Sequence, residues 1–202
     1  NSNGAKISKT VGNVVDPNEI IDSYGLDAFR YFFSRHIPAL DDGDFTWEVF
    51  ENAYNNELAN ELGNLIQRVG SMINRYQSGV IGDHPKPEHD IKQYKDYMAE
   101  LKFNRALDEV WNMVRELNVY IENVKPWQVA KEAEQSPEEK EHLDQILAYA
   151  SGSLIQIADL LIPFLPTTAK TIDGIFASGL VKLPESVLFP KIHNHTQPTQ
   201  KN

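Results

Sequence analysis

Leu58-Ala59-Asn60-Glu61-Leu62-Gly63-Asn64-Leu65-Ile66-Gln67-Arg68-Val69-Gly70-Ser71-Met72-Ile73-Asn74-Arg75-Tyr76 is the stretch that decides the fold. Leu58, Leu62, Leu65, Ile66, Val69, Met72, Ile73 and Tyr76 recur every three or four residues. That spacing places them on one stripe of a helix, which must be covered by other elements. At about 100° per residue, Asn64, Arg68, Ser71 and Arg75 gather on a different, polar face. The pattern stops near Gly79 and passes into Gly82-Asp83-His84-Pro85-Lys86-Pro87, a linker by its turn formers.

Working outward, the same period returns on both sides. Upstream, Asp16-Pro17-Asn18-Glu19 combines an N-cap residue with proline at the first helical position. One helix is expected from there through Tyr31 to Ser34, stopping before Pro38. Downstream, Leu107, Val110, Trp111, Val114, Leu117 and Ile121 form the apolar face of a helix expected over about 91–123. Pro126 restarts a short helix at Trp127, and Ser136-Pro137-Glu138-Glu139 is a capping box for a long one. Pro163 and Pro166 interrupt that helix before a last amphipathic segment over about 168–177. Trp47 and Trp111 fall on apolar stripes and are assigned to the core, and Asn118 is expected to cap or bridge helices. No alternating strand of convincing length and no internal repeat is present. The fold class expected is all-α, an antiparallel helical bundle.

Composition excludes several classes. The 202 residues are 41% hydrophobic and 24% charged, close to globular averages, which rules out disorder over most of the chain. There is no cysteine, hence no disulfide and no thiolate zinc site. The six histidines (36, 84, 89, 142, 193, 195) form no metal-ligand spacing, so no metal is expected. No apolar run approaches a membrane span and no signal peptide opens the chain, so a cytoplasmic location is expected. Nineteen Lys and Arg against 29 Asp and Glu leave a net charge of −10, which argues against a general nucleic-acid coat but permits local RNA contacts. Asn1 in place of an initiator Met, with a motif arriving at once, suggests a piece of something longer, and 190–202 reads as a flexible tail.

Lys6-Ile7-Ser8-Lys9-Thr10-Val11-Gly12-Asn13 sets two lysines three residues apart around a serine, before a Gly-Asn turn. Such a loop can close ammonium groups on a polyphosphate, and equally suits an exposed basic strand. With Val14-Val15-Asp16-Pro17 it resembles the KMSKS signature of class I aminoacyl-tRNA synthetases, Ile7 standing for Met and Thr10 for the last Ser. Tyr24-Gly25-Leu26-Asp27-Ala28-Phe29-Arg30-Tyr31-Phe32-Phe33, Gly43-Asp44-Phe45, the segment 55–65 with Arg68, Asn118-Val119-Tyr120-Ile121 with Lys125-Pro126-Trp127, Pro163-Phe164-Leu165-Pro166-Thr167-Thr168-Ala169, and Leu188-Phe189-Pro190-Lys191 resemble, in order, segments of the methionyl-tRNA synthetase family. The resemblance covers the chain from Gly4 to about Ile192.

The resemblance implies an ATP-dependent methionine–tRNA ligase as parent, with tRNA(Met) as partner. Lys6 and Lys9 would steady the pyrophosphate of ATP, while Asn64, Arg68 and Trp127 would contact the CAU anticodon. Residues 1–43 would be the KMSKS loop and linking segment, and 44–189 the anticodon-binding bundle. The family's Rossmann catalytic domain and zinc knuckle precede the KMSKS loop, so this chain, expected to be monomeric, should not aminoacylate alone. The chemistry is compatible: Asn64 and Arg68 are i,i+4 neighbours, an amide and a guanidinium read the edges of splayed bases, and an indole stacks on one. A polar helix stripe is also the ordinary solvated face, and Trp127 also fits a buried helix-start aromatic. Two other readings stand beside this one: a free-standing helical adaptor derived from a synthetase, and the equivalent part of a valine, leucine or isoleucine enzyme. The Lys-Pro-Trp segment and the Leu62–Arg68 pattern argue against the latter.

Overall fold

The computed structural model describes residues 16–37, 45–82 and 87–192, and among these it is built of helices. Lys6, Ile7, Ser8, Lys9 and Thr10, and the tail beyond 192, lie outside the described residues. No strand is present among the described residues; an isolated antiparallel bridge joins Val80 to Leu180.

The expected first helix is two. α1 (Pro17–Tyr24) is capped by the Asp16 carboxylate, which accepts from Asn18 N, and α2 (Leu26–Arg35) follows at once. Gly25 separates them with φ +85°, a conformation costly for any side chain, so the chain turns where a single helix was expected. α3 (Trp47–Ala53), capped by Thr46 Oγ1, runs into a π-helix, π1 (Tyr54–Gly63), and then α4 (Asn64–Gln77). The π-helical stretch is a second departure. Its i→i+5 bonding still admits apolar residues four apart, so the spacing of Leu58 and Leu62 fits either helix type. The expected long third helix is also two: α5 (Lys92–Ala99) and α6 (Phe103–Val124), separated at Leu101, φ +57°. α7 (Pro126–Glu132), α8 (Pro137–Leu161) and α9 (Pro166–Phe176) fall where their prolines and capping box place them, Ser136 Oγ accepting from Glu139 N.

α8 is the central element and packs on α4, α6, α7 and α9. It is the most continuously buried helix, from Leu143 to Leu161, with small Ser151, Gly152 and Ser153 letting its neighbours approach. The apolar stripe of the deciding segment is covered as expected: Leu58, Leu62, Leu65, Ile66, Val69, Met72 and Ile73 are all buried. Trp111 is fully buried in the core, and Trp47 is half-buried against it. An aromatic cluster of Tyr24, Phe32, Phe45, Trp47, Phe50 and Tyr54 packs α1 and α2 against α3, with Tyr24 and Phe50 edge-on at 4.8 Å.

Two polar links fasten the first helices to the end of the bundle. Asp27 on α2 is 8% exposed, and its Oδ2 accepts from Thr168 N at 2.6 Å and Thr168 Oγ1 at 2.8 Å. It thus caps α9, which has no cap of its own, across 141 positions of sequence. Arg30 donates to the carbonyls of Phe164 at 3.0 Å and Pro163 at 2.5 Å, in the turn where α8 ends and its carbonyls lack amides.

Candidate nucleic-acid interface

π1 and α4 run beside α6 in the same direction, and each offers a polar row to the other. Glu61, Asn64 and Arg68 stand at i, i+3 and i+7 on one side; Arg115, Asn118 and Glu122 stand at i, i+3 and i+7 on the other. The rows are linked at both ends with the charges reversed. Arg115 Nε lies 3.6 Å from Glu61 Oε2, and Arg68 Nη1 donates to Glu122 Oε1. Between them Asn118 Nδ2 donates to Glu61 O at 3.3 Å and to Val114 O at 3.0 Å. Asn118 therefore bridges helices, as expected from its place amid apolar positions. The bridge sits just before the chain changes from i−5 to i−4 partnering, where one carbonyl is skipped by the ladder.

Asn64 is exposed on the outer surface of this seam, its side chain open to solvent. Arg68 is half-buried, with its side chain 33% exposed against 60% for Glu122. Its Nη1 is held by the carboxylate while Nη2 is buried without a hydrogen-bond partner. The guanidinium is thus part-exposed, one helical turn from the exposed amide of Asn64. Arg75, two turns further along α4, is exposed and stands 5.6 Å from the centroid of the Tyr76 ring.

Trp127 lies in the first turn of α7, half-buried against the core, so one part of the indole is packed and another is open. α7 packs on both α4 and α8, and Glu122, the partner of Arg68, lies on the last turns of α6 just before it. Asn64, Arg68 and Trp127 therefore belong to one region of the bundle, at the end where α6, α4 and α7 meet. Glu61, Glu122 and Arg115 were not singled out from sequence. Charged residues on a helix surface are ordinary, and only the facing of two rows makes them notable.

A second polar cluster sits at the other half of π1. Glu57 accepts from Tyr31 Oη and, at 2.9 Å, from His36 Nε2, with Arg35 Nε at 3.7 Å. Burial alone would raise the Glu57 carboxyl, but the hydrogen bonds from His36 and Tyr31 and the Arg35 charge outweigh it and hold the group below the usual carboxylate range. Arg35 lies with its guanidinium carbon 4.8 Å from the Trp111 ring centroid and reaches Asp108 at 3.3 Å. Burial pushes the Tyr31 hydroxyl well above its ordinary value. Among the described residues no group of three His, Cys, Asp or Glu side chains could hold a metal, and no helix is long and apolar enough to cross a membrane.

This helical bundle, which carries an exposed amide and a half-buried guanidinium and indole, belongs to the anticodon-binding class of tRNA ligases by its family match. The family model described as the anticodon-binding domain of tRNA ligase matches residues 86–187, and that described as tRNA synthetases class I (M) matches residues 1–70. The methionine–tRNA ligase of Caldanaerobacter subterraneus is 39% identical over 181 residues, 83% of this chain and 27% of the relative. That of Bacillus subtilis is 39% identical over 177 residues, 82% of this chain and 26% of the relative. The Mycobacterium tuberculosis methionyl-tRNA synthetase bound by methionyl-adenylate superposes with a TM-score of 0.80 at 27% identity, covering 92% of this chain and 42% of that one. The chain belongs to the methionyl-tRNA synthetase family. It spans about a quarter of the length of the curated relatives it matches.

Proposed function

We propose that this chain is the tRNA-reading part of a methionine–tRNA ligase, which joins L-methionine to tRNA(Met) at the expense of ATP. Residues 44–189 form its anticodon-binding unit, residues 1–43 the KMSKS loop and the link to a Rossmann catalytic half, and 190–202 a tail. Asn64 and Arg68 read base edges of the CAU anticodon, and Trp127 stacks on a base. Lys6 and Lys9 steady the pyrophosphate of ATP when the catalytic half is present; alone, the chain binds tRNA as a monomer and does not aminoacylate. It calls on no metal of its own and works in the cytoplasm.

The observation that supports this reading most is the exposed Asn64 one helical turn before Arg68, whose side chain is one-third exposed, on the bundle where Trp127 is only partly covered. Base-specific contacts of this kind do not need a basic surface, which accommodates a net charge of −10.

The test is tRNA binding by the purified chain at fixed salt, with a CAU anticodon and with a scrambled one, for wild type and Trp127→Ala. CAU is expected to bind more tightly, and Trp127→Ala to remove most of the difference. Equal binding of the two anticodons, or none of either, overturns the assignment of Asn64, Arg68 and Trp127. Methionine-dependent ATP–pyrophosphate exchange by the chain alone overturns the expectation that it is inactive without a catalytic half.

A further inference from the structure

Lys125 joins α6 to α7, one helical turn beyond Glu122 and two residues before Trp127. At about 1.5 Å of rise per residue, its backbone stands about 4.5 Å along the helix axis from that of Glu122, whose carboxylate holds Arg68. Its backbone is left-handed, φ +49° and ψ +64°, a conformation that disfavours residues carrying a Cβ and suits glycine. The backbone performs the joint by itself: Lys125 N–H donates to Ile121 O at 3.1 Å, and Lys125 O accepts from Gln128 N at 2.7 Å and Val129 N at 3.4 Å. Glycine would make the same turn at lower cost, and is the usual residue there.

The side chain is exposed, and its ammonium has no hydrogen-bond or ion-pair partner among the described residues. The arginines of the seam differ in this respect. Arg68 is held by Glu122 and Arg115 lies beside Glu61, so their charges are partly neutralised before any RNA arrives. We propose that Lys125 is a contact to the sugar–phosphate backbone of the RNA bound at this surface, a positioning residue that adds affinity without reading sequence. This rests on the reading that the surface around Asn64, Arg68 and Trp127 binds an anticodon loop. The ordinary alternative is that the ammonium only answers the carbonyl end of α6.

The two alternatives separate in one set of measurements on the 202-residue chain: thermal unfolding, and binding of CAU and scrambled-anticodon tRNA across a salt series. Lys125→Gly removes the charge and relaxes the backbone. It is expected to unfold at the same temperature as wild type or higher, while binding both tRNAs roughly three- to tenfold more weakly with a salt slope shallower by about one. Lys125→Arg is expected to restore affinity and slope. Because phosphate contacts do not carry sequence information, the preference for CAU is expected to survive in Lys125→Gly and to be lost in Trp127→Ala. Unchanged affinity or slope in Lys125→Gly, or a weakening that tracks lower thermal stability, overturns the proposal. If Trp127→Ala still removes the preference, the anticodon reading stands without Lys125; if wild type binds neither tRNA, both fall.

Discussion

Two ionic clusters are built on one continuous helix, and they are finished differently. At Glu57 the carboxylate is 20% exposed and meets Tyr31, His36 and Arg35, with Arg35 itself 8% exposed and laid over Trp111. About three turns on, Arg68 meets one exposed carboxylate and leaves a buried nitrogen unmatched. The first cluster is closed: it ties α2 to π1 and has nothing left to offer a ligand. The second is open: Arg68 and Glu122 are both partly in contact with solvent, and Glu122 lies on the last turns of α6 before Trp127. Electrostatics at the same helix thus serves cohesion at one end and leaves charged groups open to solvent at the other, and what separates them is burial together with the number of matched donors.

The comparison can be broken most directly at Glu57. Glu57→Ala strands three donors in a largely dry site and is expected to cost about 3 kcal/mol in denaturant unfolding. A loss under about 1 kcal/mol would make the closed cluster energetically no different from a surface pair. Asp27→Ala removes the cap that α2 lends to α9 and should cost about 1–2 kcal/mol, with the earliest loss of amide protection in α9. A cap that acted only locally would leave the protection of α2 unchanged, whereas here both helices are expected to loosen.

The pH dependence sharpens the same contrast with a smaller effect. The folded Glu57 carboxyl lies below its ordinary value of 4.5, so the unfolded chain takes up its proton first as the pH falls. Its contribution is therefore fully present above that ordinary value and is lost as the pH drops through the lowered folded one. Glu57→Gln should flatten the acid side of the stability profile, and an unchanged slope would remove Glu57 as its source. Glu122→Ala is expected to have the smallest effect, within about 0.5 kcal/mol in denaturant unfolding, because its pair with Arg68 is solvated. A loss comparable to that of Glu57→Ala would mean that the open cluster is structural after all.

Much of this was legible because burial imposes a period. The stripe from Leu58 to Ile73, the proline and serine starts of α7 and α8, and the core position of Trp111 all follow from local rules that the tertiary structure does not contradict. The division of the first helix had a local signal too, since Gly25 interrupts it, but an isolated glycine is tolerated within helices and only its positive φ decides the matter. Leu101 had none: no glycine or proline marks the turn, and the packing of α5 back on α6 sets it.

The candidate site divides in the same way. That Asn64 and Arg68 share a face follows from spacing alone, and the motifs around them point to anticodon recognition. The partner of Arg68, the reversed charge rows of π1–α4 and α6, the capping of α9 by Asp27 and the left-handed joint at Lys125 join positions or conformations that no local pattern links. By itself the sequence determined which residues enter the core, where helices can start, and which family's motifs the chain carries, because propensity and periodicity act over a few residues. Only the tertiary structure decided which charges are matched and which are left open, because that depends on side chains brought together from distant helices.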